Sequence, residues 1–297
     1  GIPGEELSGV YSGVDFLRQV NLGPAPDLHG KVVGVVGGGD VAIDAARSAW
    51  RLGARQVHLF YRRDRAQMPA YPEQVAAAEE EGVVFHMLSA PLRVLGEQQV
   101  RGLICERQEL GPFGPDGRRE PVARIGDEFT VPLDVLIAAI GQEPALPDED
   151  LARNADGTLV VDEAWGTSRE GVFAAGDAVS GPATVVQAVA QGNAVARAVD
   201  RYLRTGRRER VATRPGYEVV EQRFDLEAYA EAPRAVPEVL PVAERVGNFR
   251  EVEQVLAEQA AQEECRRCLR CDLEWLEQQG RARPIRRAAP AVAAEGR

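Results

Sequence analysis

The stretch Lys31-Val32-Val33-Gly34-Val35-Val36-Gly37-Gly38-Gly39-Asp40-Val41-Ala42 restricts the fold more than any other part of the chain. Its apolar run has strand length and suits a parallel strand buried on both faces. The run ends in G-x-G-x-x-A, at Gly37, Gly39 and Ala42. A helical pattern follows from Val41 to Leu52, with Ile43, Ala46 and Trp50 on its apolar side and Gly53 placed to cap it. A second strand spans Gln56 to Tyr61. Glycines in this pattern are weak evidence alone, but between a strand and a helix, inside a β-α-β unit of about 30 residues, they read as a dinucleotide phosphate loop. Gly37 permits the tight turn, Gly39 lets backbone approach a pyrophosphate, and Ala42 lets the helix lie close to the strand. Gly38, Asp40 and Val41 complete the turn, and the helix N-terminus presents free N–H groups to phosphate.

At the end of the second strand, ~20 residues on, an NAD site would carry an acidic residue for the ribose 2′-hydroxyl. Here the chain reads Tyr61-Arg62-Arg63-Asp64-Arg65. The guanidinium forks of Arg62 and Arg63 suit a 2′-phosphate, so NADP(H) is favoured over NAD(H). The competing reading is a solvated basic turn.

A chain of 297 residues has room for two domains. Hydrophobic residues at 44% and charged residues at 27% fit a globular protein. A net charge of −11 argues against nucleic acid as a partner, and no apolar run approaches the ~20 residues of a membrane span. The opening Gly1-Ile2-Pro3-Gly4 reads as the interior of a longer protein, with neither an initiator Met nor a signal peptide. Four cysteines, three of them clustered, are no secreted disulfide framework and point to the cytoplasm.

Further elements follow. A short amphipathic piece surrounds Phe16; Pro72–Glu81 is predicted helical and Val83–Leu88 a strand. Strands at Val100–Leu110 and Glu128–Val131 flank a Gly/Pro-rich hairpin at 111–117. Val135–Ile140 is a buried strand ending at Gly141. Short strands are expected at Leu159–Asp162 and Val172–Ala175, a long helix at Thr184–Leu203 and another helix at Phe249–Gln262. Residues 207–247 read as an extended linker.

Near the C-terminus, Cys265, Cys268 and Cys271 form C-x-x-C-x-x-C. Bacterial ferredoxins share this spacing, but their fourth cysteine position holds Trp275 here. On one helix the three thiols would fan over a wide arc, so a ligand loop is expected. A [4Fe–4S] cluster leads, structural zinc is second, and idle thiols are the bland alternative. Cys105, in the strand Leu103-Ile104-Cys105, is expected to be buried core.

Gly171-Val172-Phe173-Ala174-Ala175-Gly176-Asp177, then a Gly-Pro turn and a helix start at Thr184-Val185, would suit a carboxylate held against a sugar hydroxyl. Together with Ile137 to Pro144, this stretch looks like the second flavin-contacting motif of two-dinucleotide-domain flavoproteins. With Ile2-Pro3-Gly4-Glu5, Gly37 to Asp44, Tyr61-Arg62-Arg63, Met68-Pro69-Ala70, Glu79 to Val83 and Gly117-Arg118-Arg119, the chain resembles the small (β) subunit of NADPH-dependent glutamate synthase and related FAD-dependent pyridine nucleotide oxidoreductases. The resemblance covers residues 1 to about 205 and implies a Rossmann-like α/β fold with two dinucleotide-binding domains, of which only the second half of the FAD domain is present. No flavin pyrophosphate loop precedes Gly37, so the chain alone is expected to bind FAD poorly.

The resemblance implies an organisation: 1–28 an entry segment from the FAD domain, 29–142 the NAD(P)-binding domain, and 143–205 the rest of the FAD domain. The linker would then run over 206–248, a helical cysteine segment over 249–280 and a disordered tail over 281–297. It also implies roles. Gly37, Gly39 and Ala42 would contact the NADPH pyrophosphate and Arg62 and Arg63 the 2′-phosphate. Asp177 beside Gly176 would bond the FAD ribityl chain, and the helix start at Thr184-Val185 would face the flavin ring. Gly141 belongs to the same cofactor set. No acid–base residue is named, and His29, His58 and His86 are expected to be structural or exposed. Hydride would pass from NADPH to flavin and electrons onward to iron–sulfur clusters or a partner subunit, in a homo- or hetero-oligomer. The alternative is a noncatalytic module that binds nucleotide without turnover.

Overall fold

The computed structural model describes residues 1–114, 117–142, 144–146, 150–210 and 233–267. Its centre is a five-stranded parallel sheet, β1 (Val10–Ser12), β2 (Val32–Val36), β3 (Gln56–Tyr61), β4 (Val84–Met87) and β8 (Val135–Ala138), in the order β1-β8-β2-β3-β4. The register sets Val35 beside Leu59 on one side and Ile137 on the other. Three antiparallel strands, β5 (Ser89–Gly96), β6 (Val100–Phe113) and β7 (Arg119–Pro132), form a second sheet.

Side chains alternate across a strand, so each strand of the parallel sheet feeds two cores. Val33, Val35, Val57, Leu59 and Ile137 pack against α1 (Gly13–Leu22), α2 (Asp40–Arg51) and α3 (Pro72–Glu80), in a cluster that includes Phe16, Ile43 and Val75. Val32, Val36, Phe60 and Leu136 face the antiparallel sheet and meet Val100, Leu103 and Cys105. The result is three layers: helices, parallel sheet, antiparallel sheet. All five β2 residues are buried, as a doubly covered strand requires.

Most predicted elements lie where the periodicity put them, and α2 closes on Gly53, whose N–H reaches the Trp50 carbonyl at 3.1 Å. Residues 1–28, expected to enter from the flavin domain, supply β1 and α1 to this sheet and its helical layer. Three local expectations need correction. Leu159–Asp162 and Val172–Ala175 are not strands; each finds a single bridge, Arg153 to Leu159 and Gly166 to Phe173. Their N–H groups turn elsewhere, Leu159 to the Ala178 carbonyl and Ala174 to that of Trp165. The predicted helix at Phe249–Gln262 begins later, as α7 (Glu258–Arg266). Residues before it are extended because Leu240 donates to Val252 and Gln254 to Glu238, making a small ribbon. The predicted linker over 207–247 contains a described short helix, α6 (Val242–Arg245); residues 211–232 lie outside the described ones. The structure describes α4 (Asp177–Ser180) and α5 (Val185–Thr205) between residues 150 and 210. Among the described residues no helix is long and apolar enough to cross a membrane.

Candidate functional site

Strand order changes direction between β8 and β2, and the carboxyl ends of these strands open the crevice where doubly wound sheets bind ligands. The glycine loop sits there. Gly37 has φ +146° and its N–H donates to the Phe60 carbonyl at 3.0 Å. A Cβ on Gly37 would stand 2.3 Å from the Ala139 carbonyl oxygen, and one on Gly38 would stand 2.4 Å from the Tyr61 ring. Those two glycines are demanded by the protein itself. Gly39 differs. A Cβ there would meet only Pro69 Cγ, at 3.9 Å, so its free side faces open space. Gly39 is also the N-cap of α2, with no side chain occupying the cap. Backbone N–H groups at the start of α2 are thus left for an anion, and the fully buried Ala42 lets the helix lie against the sheet. Asp40 does not close the cap; its carboxylate accepts the Tyr71 N–H at 3.1 Å.

Tyr61 is a strut that the sequence does not announce. Its ring fills the space beside Gly38, and its hydroxyl donates to the Gln67 carbonyl at 2.8 Å. The glycine loop is thereby coupled to the arginine turn. On that turn the two predicted phosphate ligands part company. Arg62 is exposed. Arg63 is only 6% exposed and donates from Nε to the Arg119 carbonyl at 2.8 Å. Arg65 pairs with Glu79. The Arg119 N–H in turn donates to Gln67 Oε1 at 2.8 Å. Two long-range bonds therefore fasten the β6–β7 hairpin to the turn. Between them lies a cleft of about 470 Å³, lined by Gln67, Met68, Pro69, Phe113, Arg118 and Arg119 among others. Met68-Pro69-Ala70 and Gly117-Arg118-Arg119, which carried part of the family resemblance, supply Met68, Pro69, Gly117, Arg118 and Arg119 to this cleft. A second cleft of similar size along β1 and α1 contains none of the predicted site residues.

The flavin-side candidates occupy other elements. Gly176, φ +67°, caps α4 and donates its N–H to Gln191 Oε1 at 2.7 Å, which ties the α4 start to α5. Asp177 is exposed at that start. Thr184 caps α5 in a reciprocal box with Gln187. Val185 is 80% exposed. Gly141 lies beyond β8 with nothing near its Cβ position. The structure thus brings Gly176, Asp177, Thr184 and Val185 to one pair of helix starts, and Gly37 through Ala42 to another.

Cys265 lies in the last turn of α7 rather than in a loop, and is exposed. The helix end is fixed by Glu264, which pairs with Arg267 and accepts the Ala235 N–H at 2.8 Å. Cys268 and Cys271 lie outside the described residues, among which no cluster of three candidate metal ligands occurs. Cys105 is fully buried, and burial pushes its thiol up to about 12. His58 and His86 are structural: Nδ1 of one meets Nε2 of the other at 2.8 Å, and the His86 ring stacks between Phe60 and Phe129.

The family model described as pyridine nucleotide-disulphide oxidoreductase matches residues 1–192. The chain is 45% identical over 288 residues to the NADP(+)-dependent formate dehydrogenase subunit beta of Moorella thermoacetica, covering 91% of this chain and 40% of that protein. It is 37% identical to the NADPH-Fe(3+) oxidoreductase subunit beta of Geobacter sulfurreducens, over 87% of this chain and 44% of the relative. To the glutamate synthase [NADPH] small chain of Azospirillum brasilense it is 39% identical, over 67% and 45% respectively. The chain thus spans less than half the length of these curated relatives. In fold it is similar to Mycobacterium tuberculosis FprA in complex with NADPH, with TM-score 0.56, 19% identity, 69% of this chain and 62% of the other. The comparison with T. acidophilum thioredoxin reductase gives TM-score 0.52 at 22% identity, with the same coverage of 69% and 62%.

Proposed function

We propose, from the premise that the chain belongs to the pyridine nucleotide-disulphide oxidoreductase family, that it binds NADPH and FAD and delivers electrons to a partner subunit. The observation that carries this reading is the asymmetry of the glycine loop: Gly37 and Gly38 are closed off by protein, whereas Gly39 is open at an uncapped helix start. A loop built only for the fold would not need glycine at position 39. The N–H groups of α2 would hold the pyrophosphate and Arg62 the 2′-phosphate, with Arg63 buried behind it. Asp177 would accept a hydrogen bond from the ribityl chain, and the start of α5 would place the positive end of its dipole near the ring. FAD, when bound, supplies acceptance of a hydride from NADPH and release of electrons onward. The protein's share is orientation of the two cofactors.

The relatives named as formate dehydrogenase, Fe(3+) oxidoreductase and glutamate synthase subunits support a redox partner chain, and the Cys265–Cys271 segment supports a [4Fe–4S] relay toward it. Cytoplasmic location and the division into an NAD(P) domain over 29–142 and a flavin segment over 143–205 belong to the same proposal.

Absorbance of the purified chain supplied with FAD tests it. The flavin band should bleach on addition of NADPH. Binding of NADPH without bleaching would favour the noncatalytic module for these 297 residues. Arg62→Ala should weaken NADPH about tenfold and leave NADH nearly unchanged; equal loss of both would remove the 2′-phosphate role.

A further inference from the structure

We propose that residues 233–267 form a detachable arm, seated on the helix side of the parallel sheet by one arginine plug, Arg245, and carrying Cys265 with it when it leaves.

The seat lies where α2 and α3 end. Glu81, directly after α3, is 1% exposed and takes two Arg47 nitrogens, at 2.7 and 3.0 Å. Arg51, the last residue of α2, reaches the same carboxylate at 3.4 Å. Into this group comes Arg245, 6% exposed, with Nη1 3.4 Å from Glu81 and 3.7 Å from Glu80. The other end of α2, roughly 17 Å away at ~1.5 Å per residue, is the start that Gly39 caps.

The arm is closed upon itself. Leu240 N–H donates to the Val252 carbonyl at 2.9 Å and Gln254 N–H to that of Glu238 at 2.8 Å. Arg245 Nε donates to the Leu240 carbonyl at 2.6 Å, so the ribbon carries the plug. Glu264 accepts the Ala235 N–H at 2.8 Å, which joins α7, with Cys265 in its last turn, to the start of the arm.

The body holds the arm by little else. Among the described residues, the hydrogen bonds and ion pairs that cross from 233–267 to the rest of the chain all belong to Arg245. Neither core cluster contains an arm residue, and Val236, Val239, Val246, Phe249 and Val255 are exposed. A joint without a large apolar interface is one that moves, and desolvation offsets most of the attraction in a buried ion pair. The seat is also complete without the plug, since Arg47 and Arg51 keep Glu81 paired. With the plug in place, Trp50 Nε1 and Arg51 Nε at the end of α2 are buried with no hydrogen-bond partner, so the closed seat is an imperfectly satisfied polar network. The place of Cys265 relative to the glycine loop thus depends on one polar contact rather than on the core.

Hydrogen exchange of the full chain tests this. The Leu240, Gln254 and Ala261 amides report the arm, and that of Leu59 in β3 reports the body. In the unaltered chain the three arm amides should exchange together, at least about 100-fold faster than Leu59. Arg245→Gln should speed them about tenfold more and leave Leu59 unchanged, and Arg245→Lys, which keeps the charge, should fall between. Arm amides as slow as Leu59, or accelerated only in step with it, would make arm and body one cooperative unit. Arm amides indifferent to Arg245→Gln would show that the plug does not hold the arm. Either result overturns the proposal.

Discussion

The half of the molecule up to residue 142 and the segment from 150 to 210 are held by different forces. The first buries two apolar clusters on the faces of one parallel sheet. The second buries only Leu159, Ala164 and Ala198 among its apolar side chains. Its order comes from polar turns: Asp162 accepts the Ala164 and Gly166 N–H groups at 2.8 Å each, and Arg208 donates to the Thr167 carbonyl at 2.7 Å. Its 21-residue helix α5 leaves Val185, Val186 and Val189 exposed. Cofactor candidates in the first half are thus positioned by backbone packed to contact, and those in the second by hydrogen bonds at the surface. Energies of substitution should separate accordingly.

The widest separation is expected at charge. Glu81 is 1% exposed and takes both Arg47 nitrogens, Nη2 at 2.7 Å and Nε at 3.0 Å. Arg51 and Arg245, the last residue of α6, reach the same carboxylate at 3.4 Å. Burial alone would raise the Glu81 carboxyl, but these guanidinium groups outweigh it and hold it below its usual value. Glu81→Gln leaves three cations facing one neutral amide and should cost about 3–5 kcal/mol. Asp162→Asn, beside the Arg208 guanidinium at 3.6 Å on a 45% exposed carboxylate, should cost under about 1 kcal/mol. Urea denaturation of both variants measures the ratio; equal losses would break the comparison.

Glycine gives a second, smaller separation. Gly37→Ala forces a Cβ to 2.3 Å from a backbone oxygen at a φ that alanine avoids, and should cost about 3 kcal/mol. Gly176→Ala also has positive φ, but the nearest atom to its Cβ would be Ala188 Cβ at 3.7 Å. Only the backbone term remains there, about 1–2 kcal/mol at φ +67° and ψ −151°. Unfolding midpoints decide; a Gly176 loss as large as that of Gly37 would show that the second segment is packed as tightly as the first.

The same contrast explains what could be read from the sequence. β2, α2 and β3 were legible because a doubly covered strand and an amphipathic helix write their periods into the residues. The loop between them was legible because a turn packed this closely against Ala139 and Tyr61 demands glycine at Gly37 and Gly38. Strand β5 was not, since Ser89–Gly96 carries a Pro and an Arg in a run whose pairing depends wholly on β6. The strands expected at Leu159–Asp162 and Val172–Ala175 show the reverse error: apolar composition promised a sheet, but the described residues offer each only one bridging partner. At the site, the residue types were legible and their division of labour was not. Tyr61 as a strut, Arg63 as a buried tie and the hairpin against the turn all depend on pairs about 50 residues apart or on ring placement, which no local pattern encodes.

The smallest expected separation is in pH response. All three histidines lie before residue 142. His58 and His86 share one short bond, so one ring donates and the other accepts, and a further proton removes the acceptor. Burial, then the neighbouring His58 and Arg107, lower His86 from 6.5 to about 4. The unfolded chain therefore binds more protons than the folded one between those values, and stability must rise with pH across that window. It should be flat above pH ~7 and fall by about 2 kcal/mol on going down to pH ~4.5, after discounting for the coupling of the two rings. His86→Phe keeps a ring between Phe60 and Phe129 and should remove most of that slope above pH ~5, where most carboxylates are still ionised. An unchanged slope in His86→Phe would move the pH response out of the interface between the two sheets, and with it the claim that the packed half alone carries it.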